Sequence, residues 1–414
     1  MTDRLPDSPK NPTAHPSGHE RGHERALPDK RTLLGPGPSD LPLRVLRALS
    51  HPVVGHLDPQ YLALMDRVRA HLRAVWATAN EVTLALPGTG TSGMEACFAN
   101  LLEPGDNVLV GVAGYFGARM VEVAERHGAH VHRLEVTWGE AIPVERAIAA
   151  IRKSRPRAVA LVHAETSTGV WQDVAEIFAA AREEGALTIL DCVTSLGGLP
   201  VEIDAWGVDA AYSCTQKCLG CPPGLAPVTF SARAMQRIRS RKIPVHSFYL
   251  DLDLHAKYWG TERAYHHTAP ASLLYALHEG LELIHEEGLQ TRFARHRRNH
   301  QALVDGLEAM GLSIWTRPEL RLPTLHAVSV PEGVDEAAVR RDLIEQHAIE
   351  IGAGLGPLKG QIWRLGLMGA SSTSQNVLLV LAALEQALHR VGAGAFPGGT
   401  AAAIQTYRAA GSGN

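Results

Sequence analysis

Between residues 82 and 230 the chain repeats one pattern: a short apolar run, then a helical pattern, then another run. The runs are VTLAL (82–86), NVLVGV (107–112), AHVHRLEV (129–136), AVALVH (158–163), ALTILD (186–191), VDAAYSC (208–214) and LAPVTF (225–230). Helical patterns fall around 93–102, 117–127, 143–153 and 173–184. Such alternation predicts an α/β fold with a mostly parallel seven-stranded sheet covered on both faces. Upstream, DPQYLALMDRVRAHLRAVW carries Leu62, Met65, Val68, Leu72, Val75 and Trp76 on one stripe. Asp58 is its expected cap and Pro59 its first position. After about residue 285 helices near 289–310, 335–347 and 374–390 flank short strands near 324–330 and 361–367, the pattern of a smaller α/β domain.

These boundaries divide the chain into a tail (1–30), an N-terminal arm with a large domain (31–285), a small C-terminal domain (286–391) and a second loose tail (392–414). The first tail is polar and rich in Pro and His. HERGH, from His19 to His23, matches the H-E-x-x-H zinc pattern, but Gly18, Gly22, Pro16 and Pro28 oppose the helix that pattern requires. With a net charge of −3, nothing favours nucleic acid or an anionic membrane as partner. No apolar run approaches the roughly 18 residues that span a bilayer, and the first residues lack the apolar core of a secretory signal. Five cysteines in no regular framework point to free thiols in a reducing compartment, so a cytoplasmic location is expected.

In an open parallel sheet, ligands sit at the carboxyl ends of the strands. LPGTGTSGMEACFAN (86–100) is a Gly-rich turn from strand to helix. It reads as a plain helix entry, with Ser92 and Glu95 as a capping box, or as a phosphate cradle. TILDCVTSLGG (188–198) ends a strand in Asp191, which can pair with a cation, bind a metal or cap a turn. SCTQKCLGCPPG (213–224) has two readings. Cys214, Cys218 and Cys221 have the spacing of an iron–sulfur loop; alternatively Lys217 is the working residue and the thiols are packing. The first is disfavoured because the motif lies mid-chain, after several βα units. WRLGLMG (363–369) sets Arg364 in an apolar strand, as an edge residue or as a fork for a carboxylate. His266 and His267 are candidate metal ligands, but spacing shows no third, and a turn at a subunit contact is the preferred reading; no metal is expected. Together, a phosphate cradle, a carboxylate, a lysine 26 residues beyond it and an arginine from a second domain form the inventory that pyridoxal 5′-phosphate requires.

The residues that carry this inventory resemble the class V aminotransferases of fold type I, and among them the alanine–glyoxylate and serine–glyoxylate (serine–pyruvate) enzymes. The resemblance runs from about residue 33 to 390 and includes LLGPGPS, GTGTSGMEA, NLLEPGD, HAETSTGV, DCVTSLGG, QKCLGCPPG, SFYLDL, YHHTAP, RLPT, GAGLGP and WRLGLMG. It implies that Lys217 binds the cofactor aldehyde and shuttles a proton, while Asp191 faces the ring nitrogen. Val193 and Phe116 would pack on the two ring faces, and Thr166 would lie near the ring hydroxyl. Gly90, Thr91, Ser92 and Gln216 would hold the phosphate. Tyr265 and Thr268 would reach the phosphate of a neighbouring subunit, which implies a homodimer. Arg364 would bind the substrate carboxylate, with Gly37 lining the pocket. The implied reaction moves an amino group from alanine or serine to glyoxylate. Ureidoglycine as donor is the alternative. A lyase or desulfurase of the same fold is disfavoured because all five cysteines lie at or before residue 221. A binding protein without activity is disfavoured by the retained lysine, aspartate and arginine.

Overall fold

The structure, a computed structural model, describes residues 27–411. The HERGH pattern at 19–23 therefore lies outside the described residues. The main sheet has seven strands: β1 (Val82–Gly88), β2 (Asn107–Val112), β3 (His130–Glu135), β4 (Ala158–Val162), β5 (Leu187–Asp191), β6 (Ala210–Tyr212) and β7 (Gly224–Phe230). Their spatial order is β1-β7-β6-β5-β4-β2-β3. Only β7 runs against its neighbours; every other adjacent pair is parallel. The central strands β4 and β5 are buried at all five positions, as double-sided cover requires. The edge strand β3 is largely exposed and reads HVHRLE, so polar and charged side chains mark the open edge.

Helix α1 (Pro59–Trp76) forms as its sequence dictates. The Asp58 carboxylate accepts from the Gln60 amide, Pro59 occupies the first position, and Ala77 ends the helix in the left-handed region at φ 47°. Its buried face is Tyr61, Leu64, Met65, Val68, Leu72, Val75 and Trp76. Leu62, expected on that stripe, is only partly buried. Helix α2 (Gly90–Leu101) follows β1, and helix α3 (Tyr115–Arg126) follows β2. Helix α4 (Ala271–Glu287) packs against α1 and contributes Leu274, Leu277, Leu281 and Ile284 to the first core.

A second core is built on helix α5 (Leu289–Ala309), strands β8 (Leu325–Ser329), β9 (Gly352–Ala353) and β10 (Ile362–Gly366), helix α6 (Ser374–Arg390) and helix α7 (Gly399–Gly411). Its sheet order is β8-β10-β9, all antiparallel. The second core also takes in Leu34 from the N-terminal arm. Thr32 and Leu33 pair in parallel with Ile349 and Glu350, tying the arm to this layer.

Helix α7 replaces the loose tail expected after residue 392. Thr406 donates to Asp305 at 2.5 Å and Tyr407 to Asn299 at 2.9 Å, both on α5, and Ala403 is fully buried. The Gly/Ala-rich composition that read as loose is what lets the helices meet. A Cβ on Gly306 of α5 would stand 2.9 Å from the Gly399 carbonyl, a separation real side chains do not show.

Candidate active site

The chemistry-bearing residues collect at the carboxyl edge of the main sheet. Asp191 ends β5 and is 2% exposed. Its Oδ1 accepts from the Val193 amide at 2.8 Å, and its Oδ2 accepts from the Tyr212 hydroxyl at 2.7 Å. Tyr212 ends β6 and is the cross-strand partner of Asp191. Burial pushes the Asp191 carboxyl up to about 7; its two donors offset this only in part, and Lys217 contributes a smaller downward pull. Among the described residues no ion pair reaches it, whereas Asp209 of the same sheet has two.

Lys217 follows β6 in the loop 213–221. Its Nζ donates to the Pro36 carbonyl, and its chain lies under Gly37. Gly37 has φ 108°, which favours glycine, and a Cβ there would stand 2.5 Å from Lys217 Cδ and 2.7 Å from Nζ and so push the lysine aside. The arm is fixed there by the Ser39 amide donating to Gln216 O at 2.9 Å and the Ser39 hydroxyl to Lys217 O at 2.8 Å. Burial lowers the pKa of the Lys217 amine, and the Arg364 charge lowers it further. A buried amine that sheds its proton readily is a nucleophile and a base.

Arg364 lies on β10 and is 7% exposed. Its Nε donates to Ala353 O at 2.7 Å and its Nη1 to Thr166 O at 3.3 Å, while Nη2 has no partner among the described residues. Burial brings the guanidinium down to about 10, opposed by the Glu165 carboxylate. It remains a cation at neutral pH with one donor edge unspent.

The turn after β1 starts α2 one residue past Thr89. The Ser92 and Gly93 amides turn back to Thr89 O, so the Gly90 and Thr91 amides at the helix mouth have no helical partner. The capping box expected from Ser92 and Glu95 does not form. Helix α2 begins at Gly90, ahead of Ser92, and the Ser92 hydroxyl donates to Thr89 O at 2.6 Å within the first turn. A Cβ at Gly90 would stand 3.1 Å from Val193 Cγ2 and 3.2 Å from Cys214 Cβ, which places this turn beside the Asp191 and Lys217 loops. Phe116 is the second residue of α3, and Arg119 stacks over its ring at 5.2 Å while reaching toward Thr91 Oγ1 at 3.5 Å. Thr166 Oγ1 hydrogen-bonds Thr194 Oγ1.

Thus Gly37, Gly90, Thr91, Ser92, Phe116, Thr166, Asp191, Val193, Gln216, Lys217 and Arg364 fall along one edge. Tyr265 and Thr268 do not join them. Both are exposed, Tyr265 bonds Thr268 at 3.4 Å, and its ring meets His56 at 5.2 Å. The three thiols of the 213–221 loop are buried and pushed up to about 12 by burial. Cys218 donates to Thr194 O and Cys221 to Leu219 O and Ala276 O, so they behave as packing groups and not as thiolate ligands.

Two contributors were missed in the sequence. Tyr212 looked like one more apolar strand residue; its signal was a buried hydroxyl that needs a partner one strand from Asp191. Glu165 was quoted within HAETSTGV without a role. Its carboxylate is 1% exposed and accepts from Ser167 N, Ser167 Oγ, Phe116 N and Gly117 N, which seats the start of α3.

The residues present fit a phosphorylated, cationic aromatic aldehyde. The helix mouth offers free amides, Gln216 Oε1 is buried without a partner, Lys217 is an amine of lowered pKa, and the under-compensated Asp191 leaves room for a positive charge. A buried lysine and a buried acid at one sheet edge suit an aminotransferase. The chain matches the family model Aminotransferase class-V over residues 33–367, and it belongs to that family, whose members are generally dependent on pyridoxal phosphate. It is 42% identical over 400 residues to the (S)-ureidoglycine–glyoxylate transaminase of Bacillus subtilis, covering 92% of this chain and 96% of that one. It is 40% identical over 363 residues to the alanine–glyoxylate aminotransferase of Drosophila melanogaster, covering 86% and 92%. The solved alanine–glyoxylate aminotransferase from Nostoc sp. superposes with a TM-score of 0.87 at 51% identity, covering 88% of this chain and 97% of that chain. The solved ureidoglycine–glyoxylate aminotransferase from B. subtilis gives 0.91 at 43% identity, covering 93% and 100%. The fold is that of the fold type I aminotransferases. Among the described residues no helix is long and apolar enough to cross a membrane.

Proposed function

We propose that this aminotransferase uses pyridoxal 5′-phosphate to move the amino group of alanine or serine to glyoxylate, giving glycine and pyruvate or hydroxypyruvate. The observation that carries the reading is the meeting of Lys217, Asp191 and Arg364 at one sheet edge. When bound, the cofactor supplies an electrophilic aldehyde and an electron-accepting ring. Lys217 would hold that aldehyde, and Asp191 would stay ionised against the ring nitrogen. Gly90, Thr91, Ser92 and Gln216 would hold the phosphate, Phe116 and Val193 the ring faces, and Thr166 the ring hydroxyl side. Arg364 Nη2 would bind the substrate carboxylate and orient the α-carbon toward Lys217. Lys217 Nζ, its pKa lowered by burial, would take the α-proton and hold it for return. Arg364 as the anchoring cation, with Gly37 over Lys217, suits small monocarboxylate substrates.

The exposed positions of Tyr265 and Thr268 support the reading that they serve a neighbouring subunit, as a homodimer in the cytoplasm. The pocket would then lie between the large domain (31–285) and the small domain (286–391). Ureidoglycine as donor is the second reading, favoured by the 42% identity to the Bacillus subtilis transaminase over 96% of its length. Single-turnover bleaching of the cofactor's visible band with alanine, serine and ureidoglycine, then recovery with glyoxylate or pyruvate, ranks the donors. Failure of all three donors contradicts the assigned substrate class.

A further inference from the structure

The sequence offered two adjacent histidines and no third ligand. The fold supplies one. His255 lies on the short helix Leu252–Trp259, and His266 and His267 lie on the segment that follows. One ring nitrogen from each lies within 4.8 Å of the other two. The rings stand close: His255 and His266 centroids are 4.4 Å apart, and His255 and His267 5.2 Å.

The outward nitrogens are already held. His255 Nε2 lies 2.7 Å from Tyr249 O, and His266 Nε2 lies 3.1 Å from Phe248 O. A carbonyl only accepts, so both Nε2 atoms carry protons and both Nδ1 atoms are bare. This is the outer-shell arrangement that orients ligating imidazoles. His255 Nδ1 is then a lone pair in a residue with no exposed surface, and it has no hydrogen-bond partner. An orphaned acceptor of this kind costs about 1–3 kcal/mol when nothing fills it. Among the described residues His266 Nδ1 has one hydrogen-bond partner, His267 Nδ1 at 2.8 Å. Ligand nitrogens around a tetrahedral zinc ion stand about 3.3 Å apart, given bonds of 2.0–2.1 Å. The three nitrogens all lie within 4.8 Å of one another, so small ring rotations suffice to bring them to that spacing.

We infer that His255, His266 and His267 bind one divalent transition-metal ion of the zinc class, through three imidazole nitrogens with a fourth position left for water. On binding, His267 moves its proton from Nδ1 to Nε2, so no net proton is released by the rings. The ion joins the helix Leu252–Trp259 to the segment that carries Tyr265 and Thr268.

The test uses the full chain loaded with pyridoxal phosphate, stripped with chelator and dialysed. Zn²⁺ binding is measured by competition with a chromophoric chelator, and Co²⁺ supplies a ligand-field spectrum. The expected result is one equivalent per chain, with His255→Gln and His267→Gln each weakening binding about 10–100-fold or more. Circular dichroism and cofactor loading check that each variant folds. If His255→Gln fails to fold, protection of His267 from diethyl pyrocarbonate by Zn²⁺ in the wild type replaces it. The inference is overturned if the wild type binds Zn²⁺ no better than the variant with all three histidines changed to glutamine. Equal affinity in a folded single variant, or no protection of His267, overturns it as well.

Discussion

Two aspartates are buried in adjacent loops and strands of the same sheet, at opposite ends. Asp209, just before the amino end of β6, has no exposed surface and is fully served. It accepts from the Thr188 amide at 3.0 Å and the Ser231 hydroxyl at 2.8 Å, with Arg233 at 3.3 Å and Arg182 at 3.6 Å. Asp191, at the carboxyl end of β5, has one hydroxyl, one amide and, among the described residues, no cation in contact, and its carboxyl rises to about 7. One carboxylate closes the structure. The other is left short of positive charge, which a protonated ring nitrogen would provide. The difference lies in the partners, since depth and residue type are the same.

The largest effect expected from breaking this comparison falls on Asp191. Asp191→Asn should lower kcat about 10²–10³-fold, as removal of a preorganised charge does. In cofactor-free protein the same change should stabilise at neutral pH. A raised acid pKa means the stabilising, protonated form is complete below about pH 4 and is lost as pH rises through about 7. The wild-type apoprotein should therefore lose on the order of 4 kcal/mol relative to Asp191→Asn across that window, read by denaturant melts. Cofactor loading should cancel most of that loss.

Asp209→Asn should do the reverse. It removes charge-assisted bonds and should cost about 2–3 kcal/mol of stability in denaturant melts, with kcat of the folded fraction within a few-fold of wild type. A large fall in kcat with intact stability would erase the contrast. Arg364→Lys keeps the charge but loses the fork, and should raise KM for the amino donor about tenfold or more with little change in cofactor affinity. The smallest effect is expected at Phe116. Phe116→Ala should weaken cofactor binding by about 1 kcal/mol, read as roughly a fivefold rise in its Kd.

Much of this layout was legible in the sequence because parallel sheets have few solutions. Once the seven apolar runs were found, the carboxyl-edge rule located Asp191 and Lys217. Arg364 alone read equally as an edge residue, and gained its role only from the set of residues and the family resemblance. What remained hidden depends on contacts between segments far apart in the chain. Tyr212 becomes a partner of Asp191 only through the register of β5 and β6. Gly37 reveals its purpose only when the arm crosses Lys217. His255 joins His266 and His267 by the fold of an intervening turn, and no spacing rule finds it. Helix α7 was missed because glycine and alanine read as loose locally, while close packing on α5 uses the same smallness.

The central claim is that the buried Lys217 amine carries pyridoxal phosphate. Borohydride reduction of the holoenzyme, followed by peptide mass mapping, tests it directly. The account predicts one reduced cofactor per chain, attached to the peptide that contains Lys217. Recovery of the cofactor on another lysine, or of an unmodified Lys217 peptide from protein that holds its cofactor, would contradict it.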